Sequence, residues 1–314
     1  MQGIQITGMG AALPANRVTN EDLARIVDTS DEWIRTRTGI RSRYFSKGET
    51  HTQLCTEAAR NALEDAGVTP DQIGLCVVAT ISADYNTPSA ASLVQAALGI
   101  PEDTPSFDVN AACAGFVYGL NVVSAMLGCG NIERPYALLI GAEQLSRMLN
   151  MQDRGTCVLF GDGAAAAVLH RSDSHRFFCR LGSRGNAEAL HTPGLMYPEQ
   201  WIHMDGHAVF RFATGAINRG ITLMEQDSGV SAGEIDYIVC HQANRRIIDY
   251  VRKRRKLPEE KFFMNLDRYG NTSGASIPLA LADMKKAGMC SPGTRMFVSG
   301  FGGGLTWASA YLEW

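Results

Sequence analysis

An α/β fold made of two related halves is what this sequence predicts, and two observations predict it. The first is alternation. Short apolar runs at 75–80, 136–140, 164–169, 237–240 and 296–298 read as buried strands. Between them lie helical patterns at 52–66, 89–98, 116–127, 215–227 and 245–256, an order that implies parallel sheets with helical crossovers. The second is an internal repeat. Residues 62–73 and 224–235 each carry a helix end, a C-capping glycine (Gly67, Gly229), a small polar turn and the approach to a buried strand. The two copies stand about half a chain apart, which suggests halves near 1–170 and 171–314.

Bulk composition agrees. The 314 residues exceed the size at which one hydrophobic core usually stops growing. With 45% hydrophobic and 19% charged residues the chain is globular, which excludes disorder. A net charge of -3 sets up no global field for nucleic acid or membrane. The eight cysteines form no CxxC pair and no metal-like spacing. The N-terminus lacks the pattern of a signal peptide, and no apolar run reaches membrane-span length. A cytoplasmic protein with free thiols is expected.

Four segments carry chemistry. In Asp108-Val109-Asn110-Ala111-Ala112-Cys113-Ala114-Gly115-Phe116 the thiol sits at a strand-to-helix turn. Unpaired backbone N–H groups and the positive helix end are expected to lower its pKa; a buried core cysteine is the plainer alternative. Cys240-His241-Gln242-Ala243-Asn244 puts a histidine at the carboxyl end of a strand, where ligands collect in open sheets. The alternative is a histidine that satisfies a turn. Tyr269-Gly270-Asn271-Thr272-Ser273-Gly274-Ala275-Ser276 can aim an amide into a cavity or simply cap a helix. The loop Gly300-Phe301-Gly302-Gly303-Gly304-Leu305-Thr306-Trp307 exposes backbone N–H groups suited to an oxyanion, or makes a tight turn. It lacks the GxxxxGKS phosphate-loop pattern.

Taken in order, these segments resemble the β-ketoacyl-[acyl-carrier-protein] synthase III family, initiating condensing enzymes of type II fatty acid synthesis in the thiolase superfamily. The stretch 28–41 and Phe160-Gly161-Asp162-Gly163-Ala164 strengthen the resemblance, which runs from Met9 to Trp314. It implies a thiolase-like fold of duplicated βαβαβαββ halves in five layers, α-β-α-β-α. The nucleophile would lie in residues 1–170, and the His and Asn in 171–314. It also implies a catalytic triad of Cys113, His241 and Asn271, with backbone N–H groups of Cys113 and Gly303 as oxyanion donors. Cys113 would take an acyl group from an acyl-CoA primer and pass it to malonyl-acyl carrier protein after decarboxylation. No metal or cofactor is implied; the CoA thioester is a substrate. Asn271 stands where elongating synthases carry a second His, and the loop 301–304 lacks the second Cys of degradative thiolases.

Further positions follow from the same resemblance. Trp33 and Arg154 match the pair that sandwiches the CoA adenine, with Thr29 and Arg37 nearby. Gly206, Asn244 and Phe301 match positions along the CoA and pantetheine path. The basic run Arg245, Arg246, Arg252, Lys253, Arg254, Arg255 and Lys256 matches the helix that docks the acidic carrier protein. Arg246, Lys253, Arg254 and nearby Arg211 are its candidate contacts; nucleic-acid binding or a solvated face are the rivals. A homodimer is implied, in which position 87 closes the partner's acyl pocket. Thr87 is smaller than the Phe of some members, so longer or branched primers are expected to fit. The segment 185–204 is shorter than in many members. His203 and His207 are four apart, but a strand-like context argues against a metal pair. A secondary-metabolite condensing or acyltransferase relative with the same Cys-His-Asn set is the alternative reading; a non-enzymatic scaffold is the third.

Overall fold

The computed structural model describes residues 3–194 and 196–314. Two main sheets carry the fold. One has five strands in the order Gly3–Ala12, Gly163–Ser172, Tyr136–Glu143, Ile73–Ala79, Ser106–Val109. The other has four, in the order Tyr237–Cys240, Arg295–Gly302, Thr306–Glu313, Phe177–Ser183. Both sheets are mixed: the parallel pairing expected of the helical crossovers is present, joined by antiparallel strands. Parallel pairing joins Ile73–Ala79 to Ser106–Val109 and Tyr136–Glu143, and Tyr237–Cys240 to Arg295–Gly302. The strands Gly163–Ser172 and Thr306–Glu313 run antiparallel to their neighbours. Strands that follow the preceding strand through a short turn, as Thr306–Glu313 does, must reverse.

The layers follow from what each element buries. The helix Gly115–Gly128 is apolar nearly all round, so it must be covered on both sides. Its Phe116, Val117, Leu120 and Val123 share one core with Leu75 and Leu139 of the first sheet, and with Val239, Val298 and Leu312 of the second. Ile277, Leu281 and Met284 of the helix Ser276–Lys286 join the same core, so these two helices form the middle layer. Gly119 permits the close approach: a Cβ there would lie 2.5 Å from Leu139 Cδ1. The opposite face of the first sheet packs on the helices His51–Ala66 and Ala90–Leu98. The opposite face of the second packs on Gly206–Ser228 and Arg245–Arg255. The result is the α-β-α-β-α order.

The repeat seen in sequence takes matching shapes. The helix His51–Ala66 ends on Gly67 at φ 64, and Gly206–Ser228 ends on Gly229 at φ 70. Each then turns into a strand of a different sheet. The run Ala164-Ala165-Ala166 is fully buried, and Ala165 packs against Ala275 and Leu279.

Candidate active site

Cys113 is placed by a sharp corner. The strand Ser106–Val109 ends, Ala112–Ala114 makes one 3-10 turn, and the central helix begins at Gly115. Ala112 sits at φ 46, in the left-handed region, at a cost of about 1–2 kcal/mol for a residue with a Cβ. The second sheet closes the other side. A Cβ on Gly302 would lie 2.7 Å from Cys113 Cβ and 3.0 Å from its Sγ, so only glycine lets that strand run past the thiol.

The thiol's acidity differs from expectation. Burial pushes Cys113 up to about 12, and Glu143 adds to the rise. The Ser273 hydroxyl and the backbone N–H groups of Cys113 and Gly303 pull it down. Desolvation therefore outweighs the expected lowering, and the resting sulfur is a thiol.

His241 follows the strand Tyr237–Cys240, and its backbone N–H donates to Ser299 O at 2.8 Å. Its ring is 1% exposed, with Nδ1 2.6 Å from Ser276 Oγ. The Phe301 ring meets it edge-on, with centroids 5.0 Å apart. Burial pushes His241 down to about 3, so the imidazole is neutral.

Asn271 is held by its own backbone. Its N–H donates to Leu159 O at 2.8 Å and its carbonyl accepts from Gly161 N–H at 2.9 Å. Its Oδ1 accepts from Ser273 N–H at 2.9 Å, which leaves the NH₂ group as the free end. Ser273 sits at φ 45 and is 2% exposed.

A cavity of about 1060 Å³ opens above Cys113, Ser273, Gly303 and Gly304. One wall is apolar, with Ile81, Leu145, Met148, Phe160 and Ile202; another comes from 185–194, within the segment singled out for its shortness. Leu195 of that segment lies outside the described residues. His241, Asn271 and Phe301 do not line this cavity. Asn271 is tied to its floor through Ser273, and Phe301 through its chain neighbour Gly302.

Sequence reasoning missed Glu143. Its Oε2 accepts from Ser82 Oγ at 2.5 Å and Ile81 N–H at 3.1 Å, and its Oε1 accepts from Gly274 N–H at 3.4 Å. Burial pushes it up to about 7. A lone carboxylate at the carboxyl end of the apolar strand Tyr136–Glu143 was the available signal.

The remaining candidates scatter. Trp33 is half-buried, with Arg37 Cζ 4.5 Å and Arg154 Cζ 4.7 Å from its ring centroid. Thr29 Oγ1 nearby in sequence is buried and unpartnered among the described residues. Asn244 caps the helix Arg245–Arg255, its Oδ1 accepting from Arg246 N–H at 2.9 Å. His203 lies in the short strand His203–Met204, as expected, but the helix Gly206–Ser228, capped by Asp205, corrects the strand-like context expected at His207. The helix starts because Asp205 accepts from the N–H groups of His207 and Ala208. Thr87 is exposed and lies outside its own chain's cavity lining. In the basic run, Arg245 and Arg252 pair with Asp249 and Glu259, and Arg255 with Glu225. Among the described residues, Arg211, Arg246, Lys253 and Arg254 are exposed and make no ion pair. No group of three or more His, Cys, Asp or Glu among the described residues could hold a metal. No described helix is long and apolar enough to cross a membrane.

Two mixed sheets around two buried central helices, with a cysteine at the start of one of them, define a thiolase-like α/β enzyme. Comparison resolves the branch. Residues 107–185 match the family described as 3-oxoacyl-[acyl-carrier-protein] synthase III, and residues 226–314 match its C-terminal part. The beta-ketoacyl-[acyl-carrier-protein] synthase III of Clostridium acetobutylicum is 44% identical, covering 100% of this chain and 99% of that one. The crystal structure of 3-oxoacyl-[acyl-carrier-protein] synthase III from Aquifex aeolicus VF5 superposes with a TM-score of 0.94 at 40% identity, over 99% of this chain and 100% of that one. The priming beta-ketosynthase of the R1128 polyketide pathway gives 0.93 at 33% identity, over 99% and 96%. The chain belongs to the 3-oxoacyl-[acyl-carrier-protein] synthase III family of acyltransferases.

Proposed function

We propose that this enzyme joins an acyl-CoA primer to malonyl-acyl carrier protein, with loss of CO₂, to start fatty acid synthesis. The observation that carries the reading is the buried Cys113 thiol, faced by the N–H groups of Cys113 and Gly303 at the floor of the cavity. In the first half-reaction the Cys113 sulfur attacks the thioester carbonyl. An S–C bond forms, the bond to CoA breaks, and the thiol proton leaves on CoA. The two N–H groups serve the tetrahedral oxyanion. In the second half-reaction the malonyl carboxylate leaves as CO₂, and its bonding pair moves onto the thioester as an enolate. The neutral His241 and the Asn271 NH₂ supply N–H donors to that oxygen. The enolate carbon then attacks the acyl carbonyl, and the Cys113 sulfur leaves and is reprotonated. Residues 1–170 supply the nucleophile and 171–314 the two donors.

Trp33, Arg154, Arg37 and Thr29 serve as the CoA adenine site; Gly206, Asn244 and Phe301 lie along the pantetheine path. Arg211, Arg246, Lys253 and Arg254 form the carrier-protein surface, which their exposure and lack of ion pairs support. In a homodimer, Thr87 of one subunit borders the acyl pocket of the other. The match to a polyketide priming enzyme keeps secondary metabolism as the second reading, and the acceptor decides between them.

One experiment tests the core. Incubation with acetyl-, isobutyryl- and octanoyl-CoA is followed by peptide mass spectrometry and by product assay with malonyl-acyl carrier protein. Acyl mass is expected on Cys113 from all three primers, and Cys113→Ala should lose it and slow condensation by at least about 10⁴-fold. Thr87→Phe should retain only the acetyl adduct. Absence of any adduct on Cys113 overturns the reading; strict acetyl preference in the wild type overturns the primer width.

A further inference from the structure

The proposed second half-reaction requires His241 to present an N–H, and a neutral imidazole carries only one. Which nitrogen holds it depends on what the other nitrogen meets. Nδ1 meets Ser276 Oγ at 2.6 Å. Ser276 Oγ also accepts from the backbone N–H of Gln242 at 3.3 Å. The turn Ser273–Ala275 precedes Ser276, and its Ser273 carbonyl is taken by the Ser276 backbone N–H, while among the described residues the Ser276 hydroxyl makes no hydrogen bond to a carbonyl. Ser276 is 2% exposed, which shields the hydroxyl from bulk water.

The hydroxyl proton therefore has one acceptor among the described residues, His241 Nδ1. If Nδ1 carried the imidazole proton instead, a buried Ser276 O–H would be left unpaired, a costly arrangement. We propose that Ser276 is a positioning residue: its hydroxyl donates to Nδ1 and thereby holds His241 as the tautomer protonated on Nε2. Gln242 N–H on Ser276 Oγ and Phe301 against the ring fix the orientation of the pair. Asn271 is oriented by the same logic, since Ser273 N–H occupies its Oδ1 and turns the NH₂ outward. Each donor has its accepting atom blocked, so an enolate oxygen meets N–H from both.

This inference rests on the proposed function and is tested separately from it. Enzyme labelled with ¹⁵N-histidine, with His241→Asn as the assignment control, reports the tautomer directly. The His241 Nδ1 resonance is expected in the unprotonated range and Nε2 in the protonated range. In parallel, Ser276→Ala and Ser276→Thr are assayed for Cys113 acylation by acetyl-CoA and for condensation with malonyl-acyl carrier protein. Ser276→Ala is expected to slow condensation roughly 10- to 100-fold while acylation stays near wild type, and Ser276→Thr to recover most of the loss. A protonated Nδ1 in the wild type overturns the inference even if no variant folds. So does a Ser276→Ala enzyme that condenses at the wild-type rate, or one that loses both half-reactions equally. Failure of the wild type to acylate Cys113 would instead count against the proposed function, and the tautomer measurement would stand.

Discussion

Two corners of the molecule are built alike and differ in what they offer. Ala112–Ala114 leads into the central helix Gly115–Gly128, and Ser273–Ala275 leads into the central helix Ser276–Lys286. Each begins with a non-glycine residue in the left-handed region, Ala112 at φ 46 and Ser273 at φ 45. The first corner carries a thiol and lines it with backbone N–H groups. The second turns its own N–H and hydroxyl groups inward, Ser273 N–H to Asn271, Gly274 N–H to Glu143 and Ser276 Oγ to His241. Burial acts on both with opposite sign: it raises the Cys113 thiol to about 12 and lowers the His241 imidazole to about 3. Both groups are thus neutral before substrate arrives. On the proposed mechanism, one corner makes the covalent bond and the other stabilises the charge that follows.

Breaking the first corner should cost the most. Gly302→Ala forces a Cβ to 2.7 Å from Cys113 Cβ, so strand or thiol must shift. A loss of roughly 1–3 kcal/mol in denaturant unfolding is expected, together with slower Cys113 acylation. Unchanged stability and acylation would show that the two sheets do not need this contact. A smaller effect should come from the surface, which separates the acyl-CoA step from the carrier step. Arg246→Glu with Lys253→Glu should raise KM for malonyl-acyl carrier protein about tenfold, the difference shrinking in high salt, and leave KM for acyl-CoA alone. Equal changes in both would remove the assignment of that face.

The smallest effect sharpens the contrast in sign. His241 has its pKa lowered in the folded state, so below about 6.5 the unfolded chain binds the proton that the folded one refuses. This histidine's contribution therefore destabilises the fold progressively as pH falls from about 6.5 towards 3. Replacing it, as in His241→Asn, should flatten part of the acid loss in stability measured by urea unfolding at pH 7 and pH 5. Parallel pH dependence in the two proteins would contradict a buried neutral His241.

Much of this was legible in the sequence, for reasons of local pattern. The corner at Cys113 follows from small residues between a strand and an apolar helix, and the end of the His241 strand from an apolar run of strand length. The capped repeats at Gly67 and Gly229 were equally local. What escaped notice depends on contacts far apart in the chain. Desolvation of Cys113 comes from the second sheet arriving at Gly302, 189 residues later by numbering, which no propensity encodes. Glu143 and Ser276 gain meaning only from Gly274 and His241 beside them. The mixed sheets depend on which neighbour each strand finds, and the helix at Gly206 on its Asp205 cap rather than on apolar periodicity. The basic run was visible as charge, but which cations are already paired required Asp249, Glu259 and Glu225 in place.

The division of labour between the corners is tested most directly by a single-turnover experiment on the double variant His241→Ala/Asn271→Ala. The enzyme is loaded with acetyl-CoA, then mixed with malonyl-acyl carrier protein, and the Cys113 adduct is followed by mass spectrometry. The proposed mechanism predicts that the adduct forms at close to the wild-type rate. It should then persist, with condensation slowed by at least about 10²–10³-fold. An adduct that never forms, or one consumed as fast as in the wild type, would contradict it.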